Sequence, residues 1–293
     1  MTLAQDKATT TITELEAGEV SSANAAGSTP VVFVHGLWLL ASSWDRWAQV
    51  FREAGYATLQ PGWPDDPETH EEAMANPDVF AEKTIGQIAE HYEQIIGGLD
   101  RKPAIVGHSF GGLLAQILAG RGLSAATVAV DPAPFRGVLP LPFSAVKSSA
   151  GVLANPANRH RAVPLSLEQF RYGFANAVSE REAKELHETF AVPGSGAPIF
   201  QAATANFNPW TEAKVDVENP DRGPLLITGG EKDHQVPWAI SKASYKRQRH
   251  NPGVTEIIEI QGRGHSLTID SGWQDVAETA LKFVERFTSA TGR

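Results

Sequence analysis

The sequence predicts an α/β protein in which a mostly parallel sheet is flanked by helices, because short apolar runs alternate with helical patterns along the chain. Most of these runs are almost continuously apolar, which is typical of strands buried on both faces of a parallel sheet. The helices between them supply the crossovers that parallel strands require. The predicted strands are Val31–Val34, Ala57–Leu59, Ala104–Val106, Thr127–Val130, Leu225–Thr228 and Thr255–Ile260.

The last helix has the clearest pattern, with apolar residues that recur at helical spacing and so form one face. This face predicts packing against the core of the domain. Its residues are Trp273, Val276, Ala277, Ala280, Leu281, Val284 and Phe287.

The alternation of strand and helix stops between residues 135 and 222, where the sequence contains no convincing strand. Two capping boxes mark helix starts in this stretch, Ser166-x-x-Gln169 and Ser179-x-x-Glu182. A helical insertion of this length between two sheet strands predicts a cap over one edge of the sheet. The predicted organisation is an N-terminal tail or edge strands at 1–29, a core at 30–134 and 223–293, and a helical cap at 135–222.

Composition and charge exclude several classes of protein. The chain has 293 residues, 42% of them apolar, which suits a globular protein rather than a disordered one. Its net charge of −9 disfavours nucleic acid as a partner, because a negative surface repels phosphate groups. It has no cysteine, which excludes disulfides and thiolate chemistry. The N-terminus lacks the apolar core of a signal peptide and no apolar run has the length of a membrane helix, so we expect a cytoplasmic protein without a membrane partner.

The strongest chemical signal is Gly107-His108-Ser109-Phe110-Gly111, which matches G-x-S-x-G between a predicted strand and a helical run. A sharp turn from strand to helix lifts the Ser109 hydroxyl above the carboxyl ends of the strands. The two flanking glycines remove Cβ atoms that would clash with the neighbouring strand and helix. This context predicts that Ser109 is a nucleophile rather than a spare serine in a surface turn.

A serine hydroxyl becomes a good nucleophile only when a base takes its proton. We predict His265 as this base, because it follows the last strand and precedes the last helix, on a loop at the same edge of the sheet. Among the other histidines, His234 is the main rival, since it adjoins the predicted acid.

The acid that orients the imidazole is predicted to be Asp233, which follows the strand at Leu225–Thr228. Glu231 is a weaker alternative that lies closer to the strand. Asp131 is a more serious rival, because it also ends a strand at this edge of the sheet.

An oxyanion hole needs two backbone N–H donors directed at the developing charge. We predict the amide of Phe110, directly after the nucleophile, and the amide of Leu37, in the loop after the first strand. Gly36 lets that loop come close, and Trp38 is a less favoured donor. His35 is interpreted as a side chain that fixes the loop by hydrogen bonding.

Four motifs together resemble the α/β-hydrolase superfamily over about residues 30 to 287: His35-Gly36, the Ser109 motif, Gly230 to Pro237, and Gly264-His265. The stretch from His35 to Trp44 is also similar to the branch that contains small serine esterases and cofactor-free haloperoxidase-like perhydrolases. The resemblance implies an eight-stranded, mostly parallel sheet with a helical cap inserted after the sixth strand. It also implies a Ser-Asp-His triad at Ser109, Asp233 and His265. Members that act on epoxides or haloalkanes have Asp at the nucleophile position, so Ser109 argues against those activities.

These residues predict hydrolysis of a small to medium, largely apolar carboxylic ester through an acyl-enzyme, with no metal and no organic cofactor. Alternatives with the same triad are a lactonase, a perhydrolase and a C–C bond hydrolase, and one of another class is a non-catalytic protein that binds a small molecule. No leucine-rich interfacial surface is evident, which disfavours a long-chain lipase, and no feature indicates an oligomeric state. Candidates for an aromatic wall of the substrate pocket are Trp38, Phe110, Phe143, Phe170, Phe174, Phe207, Trp210 and Trp238.

Overall fold

Residues 11–288 are described by a computed structural model. Their strands are β1 (Pro30–Val34), β2 (Ala57–Leu59), β3 (Ala104–His108), β4 (Ala126–Val130), β5 (Ala162–Val163), β6 (Gly194–Ser195), β7 (Leu225–Gly230) and β8 (Thr255–Ile260). Six of them form one parallel sheet in the order β2-β1-β3-β4-β7-β8. The other two, β5 and β6, form a separate antiparallel pair. All six strands predicted from the sequence are present, and the predicted α/β fold class is confirmed.

Helices surround the sheet. Within residues 11–288 they are α1 (Glu14–Ala26), α2 (Asp45–Glu53), α3 (His70–Ala75), α4 (Ile85–Gly97), α5 (Phe110–Gly120), α6 (Phe143–Leu153), α7 (Leu167–Gly173), α8 (Glu180–Phe190), α9 (Ala197–Thr204), α10 (Trp238–Gln248) and α11 (Trp273–Glu285). None of these helices combines the length and the apolar character needed to cross a bilayer.

The sheet divides the hydrophobic core into two main parts. Strands β1, β3 and β4 are buried along their whole length, as their apolar sequences predict. Alternate residues of β1 contribute to opposite faces: Val31 and Phe33 pack with α2 and α11, whereas Val32 and Val34 pack with α4 and α5. The predicted apolar face of α11 is confirmed, since Val276, Ala277, Ala280 and Val284 are buried and Trp273, Leu281 and Phe287 are partly buried against them.

The N-terminal segment differs from the expected tail or edge strands at 1–29. Thr13 and Glu16 form a capping box that starts α1, and the buried His91 donates a hydrogen bond of 2.8 Å to Glu16. This helix packs against β2 and α4. The eight-stranded sheet implied by the resemblance is therefore wrong for the described residues, whose parallel sheet has six strands, while residues 1–10 lie outside them.

The stretch from 135 to 222, called the inserted segment below, contains α6 to α9 and the short β5–β6 pair. It joins β4 to β7, so it follows the fourth strand of this sheet and not the sixth. The difference arises because no strand precedes β1 in the described residues. The helical character expected for this stretch is otherwise present.

Close packing of α5 against the sheet depends on the two glycines that flank the Ser109 turn. A Cβ atom on Gly111 would overlap the carbonyl oxygen of Val34, and one on Gly107 would overlap the carbonyl oxygen of Gly111. Both obstacles are backbone atoms, which cannot rotate away as a side chain can. The steric reason predicted for these two glycines is therefore confirmed.

We expect Gly111→Ala to lower the free energy of unfolding by about 3 kcal/mol or more, at or beyond the usual upper end for overpacking. The better helix propensity of alanine would offset only about 1 kcal/mol of this loss. Urea denaturation gives the measurement. Gly18→Ala in α1 is the matched control, because a Cβ atom there meets nothing within 4 Å. The packing argument fails if the two variants are equally stable.

Candidate active site

Ser109 occupies the turn between β3 and α5, with φ 57° and ψ −119°. Positive φ is unusual for a residue with a side chain, and such strain persists only where the surroundings hold it. Here the Ser109 amide donates to the carbonyl of Val130 at 2.9 Å, and the Ser109 carbonyl accepts from the amide of Ala133 at 2.9 Å. The end of β4 and the residues after it therefore fix the turn that presents the hydroxyl.

The structure brings Ser109, His265 and Asp233 together in one line of hydrogen bonds. Nε2 of His265 lies 2.9 Å from Oγ of Ser109, and Nδ1 of His265 lies 2.6 Å from Oδ2 of Asp233. All three residues are buried, with exposed fractions of 3% or less. The parallel sheet explains the meeting, because residues that follow different strands share its carboxyl edge.

The loop that carries His265 is held from two sides. Nε2 of His108 donates to the carbonyl of His265 at 3.0 Å, and the amide of Ser266 donates to the carbonyl of Phe174 at 2.9 Å. Burial, reinforced by the charge of His265, lowers the pKa of His108 well below its ordinary value, so His108 is a neutral donor. The ring of Phe174 also packs edge-on against the His265 imidazole, with centroids 4.6 Å apart.

Asp233 is fixed by its own loop. Its Oδ1 accepts hydrogen bonds from the amides of Gln235 at 2.7 Å and Val236 at 2.8 Å, which leaves Oδ2 for His265. The other candidates near it have different partners. The exposed Glu231 accepts from the amide of Gly262, and Nδ1 of His234 donates to the carbonyl of Tyr172.

Asp131 is a second carboxyl group beside the imidazole, at the end of β4. Its Oδ1 accepts from the amide of Gly230 at 2.8 Å, whereas its fully buried Oδ2 has no hydrogen-bond partner and lies 3.8 Å from Nδ1 of His265. One carboxylate oxygen each of Asp131 and Asp233 and one ring nitrogen of His265 lie within 4.8 Å of one another, as ligand atoms do in some metal sites. Asp233 and His265 already bond each other through such atoms, so the three residues fit a hydrogen-bonded network better than a metal centre.

The two carboxyl groups have opposite protonation tendencies. Burial, together with the negative charge of Asp233, raises the pKa of Asp131 well above its ordinary value. Burial also acts to raise the pKa of Asp233, but the charge and hydrogen bond of His265 outweigh it and hold that pKa below its ordinary value. Asp233 therefore favours the charged form beside the imidazole, and Asp131 favours the protonated form.

The protonated Asp131 has a consequence for stability. A carboxyl group whose pKa is raised on folding stabilises the folded state at low pH, and this contribution is lost as pH rises from the unfolded pKa of about 4 to the folded pKa. We expect Asp131→Asn, which is neutral at every pH, to gain stability relative to the wild type as pH rises from 5 to 8. Urea denaturation at several pH values measures this difference. A difference that stays constant with pH would contradict a protonated Asp131.

The loop that follows β1 lies against the nucleophile turn. A Cβ atom on Gly36 would be 3.0 Å from Cβ of Ser109, so this loop packs closely against the residue that carries the hydroxyl. Phe110 is the first residue of α5, where amides have no partner within the helix. The ring of His35 bonds the carbonyl of Gly36 at 3.0 Å and accepts from the amide of Trp63 at 3.2 Å, which fixes the loop as interpreted from the sequence.

A cavity of about 530 Å³ opens beside Ser109. It is bounded by Phe110, the loop at 133–141, α6, α9, and the residues at the start of α10 and just before it. Most of the lining is apolar, and the part of the chain that the structure describes contributes no Asp, Glu, Lys or Arg to it. Such a cavity suits an uncharged, largely apolar ligand.

Of the eight residues expected in the aromatic wall, only Phe110 and Phe207 line this cavity, and the prediction is wrong for the other six. The rings of Phe170 and Phe174 are fully buried and stack on each other, and Phe174 packs against the His265 ring. Trp38 is also buried, and its indole N–H donates to the carbonyl of Val163. Trp238 packs over Gly229 at the start of α10, while Phe143 and Trp210 are 79% and 87% exposed.

Aliphatic residues take the place of that wall. The lining contains Val138, Leu139, Leu141, Ile199 and Val236, which sequence reasoning missed. The position of Leu139 in the sequence could have predicted this role. Its Pro- and Leu-rich stretch comes soon after β4, at the edge of the sheet where Ser109 lies.

Comparison with known proteins gives a consistent assignment. A model of the alpha/beta hydrolase family matches residues 31–279. An esterase from Thermogutta terrifontis has a TM-score of 0.62 at 16% identity, over 89% of this chain and 91% of that chain. A candidate non-heme bromoperoxidase from Mycobacterium tuberculosis has a TM-score of 0.62 at 16% identity, over 89% and 93%. A monoacylglycerol lipase from Paleococcus ferrophilus has a TM-score of 0.60 at 18% identity, over 88% and 94%.

No curated protein sequence matches the chain. At identities below 20%, the three solved structures show the fold alone, whereas the family match runs from β1 into α11. The chain belongs to the alpha/beta hydrolase family.

Proposed function

We propose that the protein is a serine hydrolase that cleaves small to medium, largely apolar carboxylic esters. The observation that carries this proposal is the continuous line of hydrogen bonds from Ser109 through His265 to Asp233, at the floor of an apolar cavity. Each member has the chemical type and the partner that acyl transfer requires. The esterase and the lipase among the structural neighbours add support at the level of reaction class.

In the proposed mechanism, Oγ of Ser109 attacks the ester carbonyl while Nε2 of His265 takes the hydroxyl proton. Asp233 stabilises the imidazolium that forms, and the amides of Phe110 and Leu37 stabilise the oxyanion. His265 then gives the proton to the leaving alcohol as the C–O bond breaks, which leaves an acyl-Ser109. A water molecule, deprotonated by His265, attacks this acyl group and releases the acid and free Ser109.

The lining of the cavity supports the substrate class. Among residues 11–288, its only polar side chains are those of Ser109, Ser149, Asn206 and Gln235. Without a charged side chain, the cavity would bind a carboxylate or phosphate group poorly, because neither would find a counter-ion on leaving water. Uncharged acyl esters are therefore favoured over charged ones.

Covalent labelling tests the nucleophile. We expect a fluorophosphonate probe to label the wild type and not Ser109→Ala. Ser149→Ala is the matched control, because Ser149 lines the same cavity without a base beside it, and this variant should label fully. Absence of label on the wild type would indicate a ligand-binding protein, and label on Ser109→Ala would move the nucleophile elsewhere.

Single Asp→Asn substitutions test the acid. Asp233→Asn should reduce kcat for 4-nitrophenyl butyrate by about 10,000-fold, because an amide stabilises the wrong imidazole tautomer and cannot balance its charge. Asp131→Asn should retain most of the activity, because a protonated carboxyl group is already neutral. The reverse result would assign the role of the acid to Asp131.

A further inference from the structure

Five large apolar side chains surround the mouth of the cavity and face solvent. Their exposed fractions are 75% for Leu139, 78% for Leu141, 79% for Phe143, 87% for Phe207 and 87% for Trp210. We call these five residues the mouth patch. They are the most exposed large hydrophobic side chains in residues 11–288. A cluster of this kind is typical of an interaction surface, whereas exposed apolar residues that occur singly are common on any protein.

The mouth patch belongs to two chain segments that are hydrogen-bonded to each other. The side chain of Asn206 accepts from the amide of Gly137 at 2.7 Å and donates to the carbonyl of Val138 at 3.0 Å. The amide of Arg136 donates to the carbonyl of Ala213 at 2.8 Å. These bonds hold the segment of Leu139 and Leu141 next to the segment of Phe207 and Trp210. Three of the patch side chains also line the cavity, which makes the patch continuous with the route to Ser109.

The chain segments that carry the mouth patch differ in charge from the chain as a whole. The net charge is −9, yet residues 132–167 contain no Asp or Glu and carry Arg136, Lys147, Arg159 and Arg161. Residues 189–211 contain no charged side chain at all. The next acid along the chain, Glu212, accepts a hydrogen bond from the amide of Gly86 at the start of α4. Two of these basic residues lie beside the patch: Arg136 donates to the carbonyl of Pro209, next to Trp210, and Lys147 follows Phe143 by one turn of α6. With this basic flank, the patch resembles surfaces of proteins that lie on anionic lipids.

We propose that the mouth patch docks the protein on an anionic phospholipid bilayer, so that an ester dissolved in the bilayer enters the cavity without crossing water. The docking stands on its own, while the transfer of an ester rests on the function proposed above. This revises the expectation, drawn from the sequence, of no membrane partner and no interfacial surface. A second copy of the chain fits less well, because it would cover the cavity mouth and, around a two-fold axis, set basic flanks against each other.

Co-sedimentation of the full chain with vesicles of phosphatidylcholine and phosphatidylglycerol tests the proposal. We expect the wild type to bind, with weaker binding at high salt or to phosphatidylcholine alone. The double variant Phe143→Gln, Trp210→Gln removes two patch side chains that do not line the cavity, and should weaken binding by about tenfold or more. The matched control Leu15→Gln, Met74→Gln changes exposed apolar residues elsewhere and should bind like the wild type.

Further measurements separate membrane docking from misfolding and from dimer formation. Hydrolysis of a water-soluble ester and the circular dichroism spectrum should be the same for the patch variant and the wild type, which excludes misfolding. Ser109→Ala should bind vesicles normally, so docking is measured even if the protein proves not to be a hydrolase. The proposal is overturned if the wild type does not bind vesicles, if both double variants bind equally, or if the patch variant instead abolishes a dimer in sedimentation velocity.

Discussion

The arrangement of the site depends on one backbone turn that its neighbours hold in an unfavourable conformation. A residue like Ser109, with positive φ, carries strain of about 1–3 kcal/mol, which must be offset by the surrounding structure. The offset comes from β4, whose last carbonyl accepts from the Ser109 amide, and from the glycines that let α5 approach β1. The hydroxyl is therefore positioned by the sheet as a whole and not by the local segment alone.

The second constraint is the burial of two carboxyl groups around one imidazole. Two negative charges this close in a buried site would repel each other, so the group with more hydrogen-bond donors favours the charged form. Asp233 has two amides and His265, whereas Asp131 has a single amide from Gly230. The proton on Asp131 thus follows from the distribution of donors. This distribution is set by where the loops after β4 and β7 pass.

The inserted segment shows a different balance between burial and exposure. Its aromatic residues near the sheet, Phe170 and Phe174, are buried behind the imidazole and shield it from water. Two other aromatic residues of this segment, Phe207 and Trp210, are exposed to solvent. Natural proteins expose clusters of large apolar residues mostly at functional sites, and these exposed residues lie at the mouth of the cavity.

The sequence by itself determined the strand order along the chain, the turn at Ser109 and the sheet edge to which His265 and Asp233 belong. These features depend on local sterics and on the common direction of parallel strands, and both can be inferred from short motifs. The start of helix α1 could also have been predicted from the sequence, because Thr13-x-x-Glu16 is a capping box.

Only the tertiary structure decided which carboxyl group meets the imidazole, since Asp131 and Asp233 both follow strands at the same edge of the sheet. Oδ2 of Asp233 lies 2.6 Å from Nδ1 of His265, whereas Oδ2 of Asp131 lies 3.8 Å away. It also decided which apolar residues of the inserted segment line the cavity, which are buried and which face solvent. Such choices depend on how segments distant in sequence pack against each other. A buried aromatic residue and an exposed one have the same chemical character, so the local sequence does not distinguish them.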